Sequence, residues 1–277
     1  MFNSGITFSA RGISQDGVRS AGGHRGLLGR TVPVAALDDD TRDAAFALFN
    51  AVYENTSRAR FDHDLAEKQY IILLFSRQDR TLKGFSTVHV RRIGASHGAA
   101  TAVFSGDTVI DPEYWGQKQL QLAFARLIVR LKLRNPWHPL YWFLVSKGYR
   151  TYLLLANAFP IAVPRAGGPG DPALCAILDE LATARFGAEY DRARGVVRYA
   201  SAHERVRPGI APLTASVLSN AHVRFFVERN PEYAEGVELA CLAKIRLLDL
   251  ARAVARILFK KIERSLLGAQ EWGARGR

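Results

Sequence analysis

The stretch Val109 to Leu120, VIDPEYWGQKQL, constrains this chain more than any other. It follows Ala100 to Ile110 (ATAVFSGDTVI), a strand by its β-branched content. It precedes Leu120, Phe124, Leu127, Ile128 and Leu131, whose spacing predicts one apolar helix face from Gly116 to about Leu133. A proline and a glycine between a strand and a helix make a turn. The first N–H groups of a helix leaving such a turn are free, and its dipole favours negative charge. Gly116 permits close approach and Lys118 adds a cation, so the junction is expected to take a phosphate.

The elements around this junction follow a definite order. Arg30 to Ala36 reads as a strand, and Ala44, Phe46, Leu48, Phe49 and Val52 form a helix face behind the acidic start Asp38 to Asp40. Gln69 to Phe75 and Leu82 to Val90 flank a polar stretch, the pattern of a hairpin. Asn135 and Pro136 stop the central helix, Leu140 to Val145 reads as a buried strand, and Gly148 opens a helix that ends before Pro160. The predicted order is β, α, β, β, β, α, β, α. Pro164 to Pro172 (PRAGGPGDP) breaks the chain. The expected organisation is a flexible leader over 1–29, a core over 30–163, and a C-terminal extension over 172–277 packed on or near the core. The extension holds a helix at Asp171 to Phe186, a turn-rich stretch at Arg207 to Pro212, and a long amphipathic stretch from about Val237 to Leu267.

With 277 residues and 48% hydrophobic content, the chain is long enough to bury a sizeable core. Its formal charge of +12 predicts attraction to an acidic partner, whether nucleic acid, an anionic membrane or an acidic protein. Nothing resembles a helix-turn-helix or an RNA-binding motif, so nucleic acid ranks last. Cys175 and Cys241 stand far apart and the 7 histidines have no ligand spacing, so no metal and no disulfide framework is expected, which fits a reducing cytoplasm. No uncharged apolar run reaches the roughly 18 residues of a bilayer span.

Ile110, Pro112, Glu113, Tyr114 and Gly116 resemble the GNAT superfamily signature, in which a strand ends in Val/Ile-x-Pro-Glu-Tyr before a Gly-rich turn that binds coenzyme A pyrophosphate. The resemblance covers roughly Arg30 to Pro160. It implies an α+β fold with a central, mostly antiparallel sheet flanked by helices, extended here by a largely helical C-terminal part. It also implies N-acyltransferase activity, with Val109, Ile110, Trp115, Gly116, Gln117 and Lys118 contacting the co-substrate and the diverging central strands holding its pantetheine arm. Lys118 and the neighbourhood of Leu120 stand where the family has small residues. Within the superfamily the chain looks most similar to long-chain N-acyl amino acid synthases that draw on acyl carrier protein. The implied co-substrate is an acyl thioester of carrier protein, favoured over coenzyme A, with no permanently bound cofactor; the implied acceptor is an amino acid or another small amine.

For the chemistry, a carboxylate inside an apolar strand is costly unless paired, solvated or used, which makes Asp107 the first candidate base. Asp111, two residues on along the same face, is the alternative, and Glu67 and His89 are weaker ones. The resemblance places a tyrosine after the fifth strand to protonate the leaving thiolate; Tyr149 and Tyr152 both qualify, with a slight preference for Tyr152. Gly116 to Arg150 holds seven Lys/Arg and no Asp or Glu, and Arg126, Arg130 and Arg134 form an i, i+4, i+8 stripe expected to steer an acidic carrier protein. The competing reading is a binding protein without turnover. In it a basic C-terminal helix carrying Lys244, Arg246, Arg252, Arg256, Lys260, Lys261 and Arg264 lies on an anionic membrane or on nucleic acid.

Overall fold

The computed structural model describes residues 26–53, 56–94, 99–200, 213–252, 254–256 and 259. The leader up to residue 25, the turn-rich stretch 207–212, and Lys260, Lys261 and Arg264 lie outside the described residues. The alternating strands assemble into one mixed, mostly antiparallel sheet in the order β1-β2-β3-β4-β5-β9-β8-β7, with β6 also on β9. The strands are β1 (Leu27–Pro33), β2 (Tyr70–Ser76), β3 (Leu82–Ile93), β4 (Ala100–Ile110), β5 (Leu140–Ser146), β6 (Ala162–Val163), β7 (Tyr190–Asp191), β8 (Val196–Val197) and β9 (Glu238–Lys244). Leu27 to Gly29, read above as leader, pair with Leu74 to Ser76.

Helices cover both faces, because each strand of the sheet's middle is apolar on two sides. On the first face lie α3 (Gln119–Arg134), α4 (Tyr149–Ala158) and α7 (Ala221–Arg229), packing Leu120, Leu127, Tyr152 and Phe226 against Ile72, Val103 and Leu144. On the second face, α1 (Asp39–Val52) and α2 (Arg58–Ala66) bury Phe49 and Phe61 over Ile71, Phe85 and Val109. Beside them α5 (Pro172–Phe186) buries Leu174, Leu178 and Leu181 over Phe104 and Phe143. The short α6 (Ala215–Leu218) precedes α7. Helix α2 escapes the periodicity reading because only Phe61 and Leu65 of its RARFDHDLA sequence are buried apolar residues. Asp38 and Asp171 cap α1 and α5 by accepting from Thr41 and Ala173 N–H groups.

Two expectations for the C-terminal part are corrected. Val237 to Lys244 is not the start of a helix, since Glu238–Lys244 lies antiparallel along β5 from Tyr141↔Lys244 to Ser146↔Leu239. The nearly continuous apolar run ELACLA is buried on both faces from Glu238 to Ala243, and this burial overrides the helix propensity of Ala and Leu. Lys244 and Arg246 therefore end a strand and its following turn, and helix begins only at residue 247. The C-terminal part thus supplies a central strand as well as helices.

Candidate active site

Strands β4 and β5 are parallel, and their pairing runs only from Thr101↔Leu140 to Phe104↔Phe143. Beyond that point β4 keeps its partner β3 as far as Ile110↔Gly84, and β5 keeps β9 as far as Ser146↔Leu239. The two strands therefore part into a wedge whose facing edges have no ladder partner in each other, so their backbone groups can serve an inserted chain. At the base of the wedge the Trp142 indole donates to Ser105 Oγ at 2.8 Å.

A β-bulge sits on one wall. Ser86 pairs with Thr108 and Val88 with Ser105, so Thr87 alone opposes both Gly106 and Asp107. A Cβ on Gly106 would lie 2.4 Å from Thr87 Oγ1 and 3.1 Å from Lys68 Cε, so the bulge needs glycine there. The extra residue turns Asp107 onto the second face, toward α2 and α5, where it is 4% exposed. Burial pushes its carboxyl up to about 7; the Lys68 ammonium pulls the other way and the Asp64 carboxylate adds to the rise. Lys68 is itself buried, donating to the Asp64 carbonyl oxygen at 2.9 Å, and burial lowers its pKa.

Across the open end of the wedge, Lys147 follows β5 and pairs with Glu238 of β9 at 3.0 Å. Glu238 is fully buried, and its carboxyl is pushed up to about 7 by burial, with the Lys147 charge opposing. On the same face a cavity of about 340 Å³ opens between α2 and α5, lined by Glu67, His89, Arg91, Phe104, Phe143 and Arg185 among others. The Arg185 guanidinium lies 4.0 Å from the Phe104 ring centroid, a cation–π contact, and burial lowers its pKa. His89 Nδ1 bonds the Glu67 carbonyl oxygen at 2.8 Å, and burial lowers the imidazole pKa, which favours the neutral ring. The weaker candidates Glu67 and His89 thus belong to the cavity wall, next to Asp107's cluster.

The turn after β4 divides its expected roles. Asp111 accepts from Glu113 N–H at 3.0 Å and pairs with Lys83 at 3.2 Å, so it holds the turn and is no longer an alternative base. Trp115 donates its indole N–H to Ile110 O at 2.8 Å, and Gln117 Oε1 accepts from Leu27 N–H at 3.1 Å, so these two side chains brace the turn. Gly116 adopts φ +86°, which side-chain-bearing residues rarely reach. Lys118 is the N-cap of α3 and supplies no side-chain cap, leaving the first N–H groups of the helix for another acceptor. Val109 points into the α1/α2 core and Ile110 packs against the first-face core, so their contribution to a ligand is confined to backbone.

The two tyrosines are both buried in the first-face core, Tyr149 at 5% and Tyr152 at 0% exposure, and differ in what their hydroxyls meet. Tyr152 is fully buried, donates to Pro164 O at 3.2 Å and packs on Phe225 and Phe226, with ring centroids 5.9 and 5.8 Å away; burial drives its hydroxyl pKa upward. Its hydroxyl is thus engaged by a backbone carbonyl within the core. Tyr149 opens α4 directly after the β5 turn, and its hydroxyl accepts from Arg150 Nε at 3.4 Å. Arg126, Arg130 and Arg134 are all exposed along the outer side of α3, as their spacing requires. Among the described residues no cluster of His, Cys, Asp or Glu is placed to hold a metal ion, and no helix is long and apolar enough to cross a membrane.

Sequence reasoning missed Lys68, Arg185 and Glu238. Arg185 had a visible signal, since it follows Leu174, Leu178 and Leu181 at helical spacing and therefore shares their inward face.

No family model matches the chain, and no curated protein matches it. Among solved structures it is similar to a probable N-acyltransferase from Enterococcus faecalis V583, at 15% identity and a TM-score of 0.36 over 50% of this chain; the match spans only 33% of that one. It is also similar to the Escherichia coli GNAT family N-acetyltransferase YhbS in complex with CoA, at 15% identity and a TM-score of 0.34 over 48% of this chain and 68% of that one. Escherichia coli ElaA is similar at 15% identity and a TM-score of 0.34, over 47% and 85%. Likeness at such values carries no weight for the chain's activity.

Proposed function

We propose that the chain is an N-acyltransferase that moves an acyl group from a pantetheine thioester to an amine, with Asp107 as base and Tyr149 as acid. The observation that carries this reading is the wedge: β4 and β5 part at the point where a bulge presents a buried carboxylate with a pKa of about 7. In the reaction the amine nitrogen bonds to the thioester carbonyl carbon and the C–S bond then breaks. The attacking nitrogen must lose a proton and the departing sulfur must gain one. A carboxyl titrating near neutrality takes that proton, directly or through one water, better than an ordinary aspartate would. Tyr149 stands at the start of α4, which follows β5 at the end where the wedge opens.

The pantetheine arm runs between the unpaired strand edges, and its phosphate meets the uncapped N-terminus of α3 beside Gly116 and Lys118. The acceptor enters from the second face through the cavity between α2 and α5, whose wall residue Arg185 is one of the charges acting on Asp107. An acidic acyl carrier protein is the favoured donor over coenzyme A, because the acid-free basic run from Gly116 to Arg150 includes both βα turns and the outward stripe of α3, of which Arg126 lies nearest the wedge end and Arg134 farthest from it. A fatty acyl group and an amino acid or other small amine are the expected cargo and acceptor.

The test is free-thiol release from acyl carrier protein and coenzyme A thioesters with pooled amines. Turnover that falls with Asp107→Asn and Tyr149→Phe, but not with Tyr152→Phe in folded protein, supports the reading. Absence of thiol release from every donor sinks it.

A further inference from the structure

Among the described residues the large hydrophobic side chains that remain exposed are Val129, Leu133, Trp137, Leu247, Leu248 and Phe259. They are not scattered. Leu133 and Trp137, 66% and 92% exposed, end α3 and its loop into β5. Leu247 and Leu248 follow β9, whose end is held to the start of β5 by Ile245 N–H donating to Leu140 O at 2.8 Å. Both segments thus leave the sheet at one end, opposite to the end where the wedge opens.

The helical segment after β9 continues the pattern. Leu248, Arg252 and Phe259 fall on one helical face with Arg256 beside it, and all four are exposed, whereas Asp249 and Leu250 turn inward. Arg134 and Lys244 are exposed at the same end. Asp249, the acid of this segment, is buried and pairs with Arg246 at 2.6 Å and, more loosely, with Arg252 at 3.9 Å, so the two exposed guanidinium groups share one buried carboxylate and leave a net positive charge. A surface of Trp and Leu framed by exposed Lys and Arg side chains is the composition of a face that enters the headgroup layer of an anionic bilayer. A second copy of the chain fits poorly, because a symmetric contact would set these cations against one another.

We propose that this end of the molecule is an interfacial membrane-binding surface, selective for anionic lipid, with Trp137 and Leu248 inserting and Lys244 and Arg252 meeting the headgroups. Binding in this orientation holds the wedge away from the bilayer, open to a soluble donor.

The experiment is co-sedimentation of the full chain with phosphatidylcholine vesicles, with and without phosphatidylglycerol, at low and high salt. Binding should require phosphatidylglycerol and weaken with salt. It should fall roughly tenfold or more in Lys244→Ala/Arg252→Ala, and be lost in Trp137→Ser/Leu248→Ser. Circular dichroism spectra that match wild type establish that these surface variants are folded, and the assay needs no turnover, so it fails independently of the acyltransferase reading. The proposal is overturned by no binding to anionic vesicles, by binding indifferent to these substitutions, or by a lipid-free dimer that Trp137→Ser dissociates.

Discussion

At the scale of single residues, the proposed base is Asp107, a buried carboxyl pushed up to about 7. Replacing it by Asn keeps its size and removes the base, so turnover should fall by roughly 10²- to 10⁴-fold with the fold intact. In the wild type the rate should rise with pH through an inflection near the Asp107 value of about 7 and fall as acid protonates it; this limb should vanish in Asp107→Asn. The same carboxyls leave a mark on stability. In the folded state burial pushes Asp107 and Glu238 both up to about 7, above the ordinary carboxyl values of 3.8 and 4.5, so the folded protein binds protons more tightly than the unfolded one. Their contribution is fully present below about pH 4 and is lost as pH rises to about 7. Urea denaturation at a series of pH values should show this decline, and Asp107→Asn/Glu238→Gln should flatten it. The sequence made Asp107 legible, because a carboxylate in an apolar strand demands a reason. It could not separate Tyr149 from Tyr152, since neighbours on one helix differ only in the direction they face. Nor could it show Lys68 or Glu238, whose burial depends on elements far apart in the chain. The spacing that makes Asp111 the alternative to Asp107 carries no sign of Lys83, which pairs with it from the neighbouring strand.

At the scale of elements, the bulge and the borrowed strand decide the site. Gly106→Ala puts a methyl group against Thr87 and Lys68 and should cost about 1–3 kcal/mol, read from the urea midpoint, with loss of activity exceeding loss of fold. Strand β9 closes the far side of β5 and delivers Glu238 to the open end of the wedge. Leu242→Ala, at a fully buried position of β9 over α5, should destabilise the protein by about 2–5 kcal/mol. Most elements from β1 to α4 were legible, because alternation and helical spacing are strong there and Pro or Gly marks the breaks. Strand β9 was not, because ELACLAK joins continuously to the helix behind it and reads as one amphipathic stretch. Only the vacancy along β5 makes it a strand.

At the scale of the whole molecule, one sheet separates three environments: a wedge and the turn into α3 at one end, a cavity on the second face, and a basic, apolar surface at the opposite end. If the exposed stripe on α3 guides an acidic carrier protein, Arg126→Glu/Arg130→Glu should raise the KM for a carrier-borne donor at low salt, while leaving a coenzyme A donor little changed. The measurement that bears most directly on the proposed chemistry is free-thiol release from acyl thioesters by the wild type and by Asp107→Asn. Amine-dependent release by the wild type, reduced at least a hundredfold in the variant and titrating near pH 7, is the expected result. Release that survives the substitution would remove Asp107 from the chemistry, and absence of release from any donor would show that the wedge does not carry out acyl transfer.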